Sequence, residues 1–171
     1  MALYLIGNGP MQTTAAFAVV TTGTAVKTLL QVKPGATTML RIIEWGISFD
    51  GSAAATPGKV ELIETGTVAA TVTAAVANDI TKYDPDAIAQ GDPTTALIAV
   101  GTTATGYTAS AEGTITAVRN LAGPQLIAPT GQFIQQFPMG REPTIQSGNI
   151  GRIRVTFAAA VNAYCYMIVQ V

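Results

Sequence analysis

Carboxylates are the side chains in this sequence best suited to chemistry, because the 171 residues include ten Asp and Glu but no histidine. Without an imidazole, neither a Ser-His-Asp nor a Cys-His nucleophile can be assembled, and the commonest zinc-ligand sets are also excluded. The sequence shows no phosphate-binding glycine loop before a helix and no dinucleotide fingerprint. It therefore predicts a protein that is not an enzyme and has no catalytic residue, cofactor or metal site.

Three glutamates on predicted strands, Glu44, Glu61 and Glu64, are the candidates for a paired-carboxylate site. A glycosidase needs two carboxyl groups facing each other across a cleft. Glu44 directly precedes Trp45, so the two side chains lie on opposite faces of their strand. We interpret Glu44 as a solvent-exposed surface residue rather than as an acid or base.

A second acidic group, Asp79, Asp84, Asp86 and Asp92, falls in a long predicted loop. Carboxylate and carbonyl oxygens of such a loop can bind calcium. The spacing matches no EF-hand loop, and Asp beside Pro or Asn is typical of turns. We favour the turn interpretation and leave cation binding by this loop open.

Trp45 is either a sugar-stacking platform or a core residue. It shares strand parity with Ile43, Ile47 and Phe49, while Glu44 and two small residues occupy the other parity. This alternation is typical of a strand with one face in a hydrophobic core. The pattern predicts that Trp45 is buried between two sheets.

Other side chains with possible roles are weaker candidates. Tyr83 and Tyr107 lie in predicted loops and can stack on a ligand there. Cys165 lies in an apolar run, which predicts a small buried residue rather than a reactive thiol. Arg141 and Glu142 lie in a predicted turn, where each can pair with the other or with a neighbour, and such a surface pair contributes little to stability.

The composition points to a protein that is covered by partners. Only 11% of residues are charged and 49% are hydrophobic, against about 25% charged in a typical soluble domain. The net charge of -1 and the absence of a basic run argue against nucleic-acid binding. No apolar stretch reaches the roughly 18 residues of a membrane span, and residues 1–6 lack the basic region of a secretory signal. We expect synthesis in the cytoplasm.

Abundant Thr and Val with frequent Gly predict an all-β protein. One predicted strand covers residues 38–50, and residues 60–64 and 67–73 form a predicted hairpin around Gly66. In residues 151–157 we expect Ile153 and Val155 inward and Arg152 and Arg154 outward. Further predicted strands are residues 15–21, 26–32, 97–100, 112–118, 125–127 and 133–137. About ten short strands are typical of a two-sheet antiparallel sandwich, and a jelly roll is the leading architecture.

Three segments lie outside this regular pattern. Residues 1–12 are predicted to be an N-terminal arm attached to a single sandwich domain of residues 13–171, because Gly and Pro follow the apolar start. Residues 75–106 are predicted to be a long central loop. Residues 164–171 are apolar on both parities, which predicts a strand covered on both faces, the second by a neighbouring subunit.

Residues 137–143, 151–157, 163–171 and 40–49 together resemble small jelly-roll proteins encoded near the capsid genes of tailed bacteriophages. Some of that family are capsid decoration (cement) proteins. The resemblance implies a virion protein on the capsid exterior, a trimer that contacts the major capsid protein where capsomers meet and reinforces the shell.

We therefore expect a capsid decoration protein that acts as a homo-oligomer and uses the arm and the central loop as contact elements. The alternative is a receptor- or carbohydrate-binding head domain of a phage tail or fibre, which needs exposed aromatics in a groove. A small β-sandwich enzyme is the third possibility, and the missing histidine argues against it.

Overall fold

The computed structural model of the chain describes residues 2–10, 14, 16, 18–51, 56–83 and 97–171, and its regular structure is almost entirely β. One turn of 3-10 helix, Ala77–Asp79, lies among the strands, and no helix in these ranges is long and apolar enough to cross a membrane. The strands in these ranges are β1 (Leu3–Gly7), β2 (Val20–Thr21), β3 (Lys27–Pro34), β4 (Leu40–Asp50), β5 (Gly58–Thr65), β6 (Thr71–Ala74), β7 (Ile80–Lys82), β8 (Ile98–Ala99), β9 (Gly106–Ala111), β10 (Val118–Ile127), β11 (Gln132–Gln136), β12 (Thr144–Ile145), β13 (Ile150–Thr156) and β14 (Asn162–Gln170).

The strands form two antiparallel sheets packed face to face. The first sheet has the order β11-β4-β14-β1-β7, with β12 also on β4 and β2 also on β14. The second has the order β10-β5-β13-β3-β9-β6, with β8 also on β3. The predicted all-β, two-sheet sandwich is therefore confirmed, and the jelly-roll connectivity stays a prediction.

The core between the sheets is one cluster to which both contribute, including Trp45 and Met167 from the first and Leu62 and Ile153 from the second. Trp45 has no exposed surface, which confirms its predicted place in the core. Its ring lies 5.2 Å from that of Phe133 between centroids. The indole Nε1 donates to Gln135 Oε1 at 3.2 Å, so the polar atom of the buried ring is satisfied.

The alternation along β4 changes parity in the middle of the strand. Its pairing with β14 steps from Ile168 opposite Glu44 to Val169 opposite Ile42, which leaves Ile43 as the extra residue of a β-bulge. Ile42 is buried and Ile43 is only partly buried. The prediction that Ile43 shares the core face with Trp45 was wrong. The bulge changes which side chains of β4 face the core, and nothing in the sequence indicates where it lies.

The predicted free arm is also corrected, because Leu3–Gly7 is a strand inside the first sheet. It pairs with β14 on one side and with β7 on the other. Tyr4 and Ile6 are each only 1% exposed and belong to the core. Residues 1, 11 and 12 of the predicted arm lie outside the described residues. The Gly and Pro that follow β1 end the strand rather than detach it.

Several predicted strand boundaries and pairings were wrong as well. β5 pairs with β10 and β13, and β6 pairs with β9, so Gly66 joins two strands that are not a hairpin. Residues 112–117 form no strand; the strands are β9 before them and β10 after them. The predicted central loop contains the 3-10 turn, β7 and β8. Its residues 84–96, with Asp84, Asp86 and Asp92, lie outside the described residues.

Arg152 points away from the core residue Ile153, as predicted, but it is not exposed to solvent. That face of β13 is covered, and the side chain has no exposed surface. The guanidinium donates to the carbonyl oxygen of Glu112 at 3.1 Å and to that of Val68. One guanidinium nitrogen lies 3.6 Å from the Glu112 carboxylate. That carboxylate, which is 22% exposed, also accepts a hydrogen bond from the hydroxyl of Thr28 at 2.6 Å, so a partly buried charge network joins β13 to β3.

Candidate interaction face

The outer surface of the first sheet carries a group of neighbouring apolar and aromatic side chains that the sandwich leaves partly exposed. β1 and β14 lie side by side, and Leu5 is directly opposite Ile168. Along both strands, every second side chain points into the core. The side chains between them are partly exposed on the outside, namely Leu3, Leu5, Tyr164, Tyr166 and Ile168. We call these five residues the tyrosine face.

The two tyrosines of the tyrosine face form a flat pair on the sheet. Tyr164 and Tyr166 alternate along β14, and their rings stack with centroids 6.0 Å apart and planes 26° apart. A Cβ atom at Gly46 would lie 2.6 Å from the Tyr166 ring, so only glycine leaves room for it there. On β1, a Cβ atom at Gly7 would lie 3.4 Å from the Tyr164 ring. Glycine on both neighbouring strands allows the rings to lie against the sheet.

Tyr166 is held by a hydrogen bond to Glu44. Its hydroxyl donates to Glu44 Oε1 at 2.6 Å. Burial, followed by this hydrogen bond and the charge of Glu44, raises the pKa of Tyr166 well above the ordinary value for tyrosine. Glu44 lies on the face away from Trp45, as predicted, but it is partly buried and orients a tyrosine rather than standing free in solvent.

At one end the tyrosine face continues into a groove of about 640 Å³. Leu3, Ile43 and Met139 contribute apolar atoms to its lining. Met139 is 96% exposed, the most exposed large hydrophobic residue in the described part of the chain. Arg41 and Glu142 form the charged border of the groove, with 4.0 Å between guanidinium and carboxylate. Glu142 thus pairs with Arg41.

The remaining candidate glutamates are held in ion pairs on the second sheet. Glu61 Oε1 accepts from Arg154 Nε at 2.9 Å, and Glu64 Oε2 accepts from Arg119 Nε at 2.6 Å. Glu64 is only 4% exposed. Glu44 belongs to the other sheet, so the structure does not bring it together with either residue. The three carboxylates stabilise the fold locally and do not line a common cleft.

The other candidates are dispersed. Asp79 Oδ2 accepts from the backbone of Val76 at 3.0 Å, which is a turn contact, and no cluster of three metal-ligating side chains exists among the described residues. Tyr83 is 49% exposed beside β7, whereas Tyr107 lies on β9 of the other sheet, so they form no common platform. Cys165 is fully buried, as predicted, and burial raises the pKa of its thiol.

Sequence reasoning missed the tyrosine face because it depends on register. Tyr164 and Tyr166 were noted only as part of a run that is apolar on both parities. The position of the Tyr166 ring depends on Gly46, which is far away in the sequence and comes opposite Tyr166 only in the folded sheet. The available signal was that residues 3–6 and 164–169 are both apolar on both parities, which is what two adjacent strands with a covered outer face require.

Comparisons with family models, with curated proteins and with solved structures found no match to this chain.

Proposed function

We propose that this chain is a non-enzymatic virion structural protein, a capsid decoration protein that binds the exterior of the shell as a homo-oligomer. The observation that carries the proposal is the tyrosine face, a flat apolar surface on the outside of a rigid two-sheet sandwich. Within the chain, each of its five side chains keeps part of its surface exposed. A protein partner that covers it would complete the burial of both faces of β1 and β14.

The residue types of this surface suit a protein contact. Tyrosine is enriched among the residues that contribute most to protein interfaces, because it supplies a large contact area with few rotatable bonds. The ring of Tyr166 is already fixed by Glu44, so little conformational entropy remains to be lost on binding. Met139, which is 96% exposed in the groove beside the tyrosine face, also favours an assembled state over a free monomer.

The mechanism would be mechanical. Each copy contributes a modest apolar contact, and the symmetry of the shell repeats it many times. Linked contacts bind far more tightly than one alone, because each later contact forms at a high effective concentration. Copies that bridge neighbouring capsomers would in this way resist expansion of the shell.

The test is co-sedimentation with shells of the major capsid protein of the virus that encodes this chain, prepared without it. We expect the natural protein to sediment with the shells and to raise their melting temperature. The Tyr164→Ala, Tyr166→Ala double variant should lose both effects. Leu126→Ala, a change at a 79% exposed residue of the second sheet, is the control and should bind normally. Equal binding by the double variant would exclude the tyrosine face as the contact surface.

A carbohydrate- or receptor-binding head is the second candidate function, and the stacked tyrosine pair favours it. Flat aromatic rings can stack on a sugar ring, and a neighbouring carboxylate such as Glu44 can accept hydrogen bonds from the sugar hydroxyls. A glycan array separates the two proposals. Glycan binding that disappears in Tyr164→Ala, together with no binding to shells, would support the head domain instead.

A further inference from the structure

Strand β11 is an edge of the first sheet, and its outward backbone groups have no strand partner among the described residues. In its pairing with β4, Phe49 N–H donates to the Gly131 carbonyl and Phe137 N–H donates to the Ile43 carbonyl. The odd-numbered residues of β11 therefore bond to β4, and the N–H and C=O groups of Gln132, Ile134 and Gln136 point away from it. No other strand in the described residues pairs with them.

The other long edge of the sandwich is protected against strand pairing, and β11 is not. Edge strand β10 contains two register shifts, Arg119 and Pro124, all of which hinder addition of another strand. β6 and β7 have only four and three residues. β11 has five residues with no charge, no proline and no bulge. Ile134 at its centre is 55% exposed.

The residues of β11 whose backbone groups point away from β4, Gln132, Ile134 and Gln136, are arranged symmetrically about Ile134. In an antiparallel pair of two β11 strands with the two-fold axis at this residue, Ile134 faces Ile134 of the second copy. Gln132 then faces Gln136 at both ends. The free N–H and C=O groups of these three residues complete one another, and the glutamine amides can hydrogen-bond across the axis. A self-complementary patch of this kind is what an isologous contact requires.

We propose that β11 is the contact through which two copies of this chain pair, joining their first sheets into one continuous antiparallel sheet. The pair places two tyrosine faces on the same side of that sheet. This inference is independent of the proposed function, and its two-fold symmetry differs from the trimer that the family resemblance implies. One short strand pair is smaller than the roughly 1,200–2,000 Å² of a stable interface. The association is therefore concentration-dependent in solution.

Sedimentation velocity from low micromolar to submillimolar protein tests the pairing. We expect a monomer–dimer equilibrium. Ile134→Lys should raise the dimer dissociation constant about ten-fold or more, because it places two like charges face to face across the axis. The matched control is Val76→Lys, which introduces the same lysine in place of another β-branched residue. Val76 is 57% exposed and lies outside β11, so this variant should leave the equilibrium unchanged. A monomer over the whole range, a trimer, or a dimer insensitive to Ile134→Lys would overturn the proposal.

Cross-linking gives a second readout that does not depend on a weakened interface. The only native cysteine, Cys165, is fully buried, so a new thiol at position 134 reacts alone. Facing Cα atoms in a hydrogen-bonded antiparallel pair are about 5.5 Å apart, within the usual range of a disulfide. Ile134→Cys should form a covalent dimer on mild oxidation, and Val76→Cys should not. Equal cross-linking of both variants, or of neither, would refute the two-fold pair.

Discussion

Replacing Trp45 by alanine tests the sandwich core at its largest buried side chain. The indole has no exposed surface, packs against Phe133 with 5.2 Å between ring centroids, and donates a hydrogen bond to Gln135. A fully buried tryptophan removes about 150–250 Å² from water. At about 25 cal/mol per Å² this burial contributes roughly 4–6 kcal/mol. Alanine keeps little of it and leaves a cavity, and measured losses for such changes are about 3–5 kcal/mol.

That loss is a large part of a total stability of roughly 5–15 kcal/mol. For a chain of this size each kcal/mol shifts the melting temperature by about 2–4 °C, so Trp45→Ala should melt roughly 6–20 °C below the natural protein. Urea unfolding followed by circular dichroism measures the free energy directly. Trp45→Phe is the matched control, because phenylalanine refills most of the volume and should lose much less.

Fluorescence checks the same reasoning without a mutation, since Trp45 is the only tryptophan. A buried indole should emit at short wavelength and resist quenching by acrylamide and iodide. The argument would fail if Trp45→Ala cost no more than about 0.5 kcal/mol, which is the usual size of a surface effect. Water-like emission that external quenchers reach easily would refute it independently.

Two further changes test the other buried polar contacts. Arg152→Ala removes the buried cation beside the Glu112 carboxylate. Because that carboxylate is 22% exposed, the loss in urea unfolding should be smaller than the loss of about 3–5 kcal/mol for a fully buried pair. Arg152→Met keeps the volume and should cost less than Arg152→Ala, so equal losses in the two variants would contradict a charge-based role. The raised pKa of Tyr166 means that its stabilising protonated form is fully present below the unfolded pKa of about 10 and is lost as pH rises through the higher folded value. Alkaline melting should therefore show a loss of stability above about pH 10 that is shallower in Tyr166→Phe, and identical pH profiles would contradict this.

The sequence predicted side-chain burial correctly where the alternation of apolar and polar residues was unbroken. It did not predict features that depend on the register between strands. The alternation around Trp45 predicted its burial, and the run in residues 151–157 predicted β13. The bulge at Ile43 and the burial of Arg152 depend on which strands and loops lie opposite them. Short-range pattern contains no such information, and for the same reason β1 was mistaken for an arm. Of the tyrosine face, the sequence predicted only that residues 164–171 form an apolar strand that is covered on both faces.

The pairing of β1 with β14 also constrains the order in which the chain can fold. Leu3 lies directly opposite Gln170 in the first sheet, so β1 can meet its main partner only after β14 has been synthesised. Until then Tyr4 and Ile6, which end as core residues, have only the three-residue strand β7 as a partner in their sheet. Contacts of such long range slow folding and lengthen the exposure of aggregation-prone segments. Yield of folded protein should therefore depend on the delay between the synthesis of β1 and that of β14, and slower translation between these two strands should favour aggregation during expression.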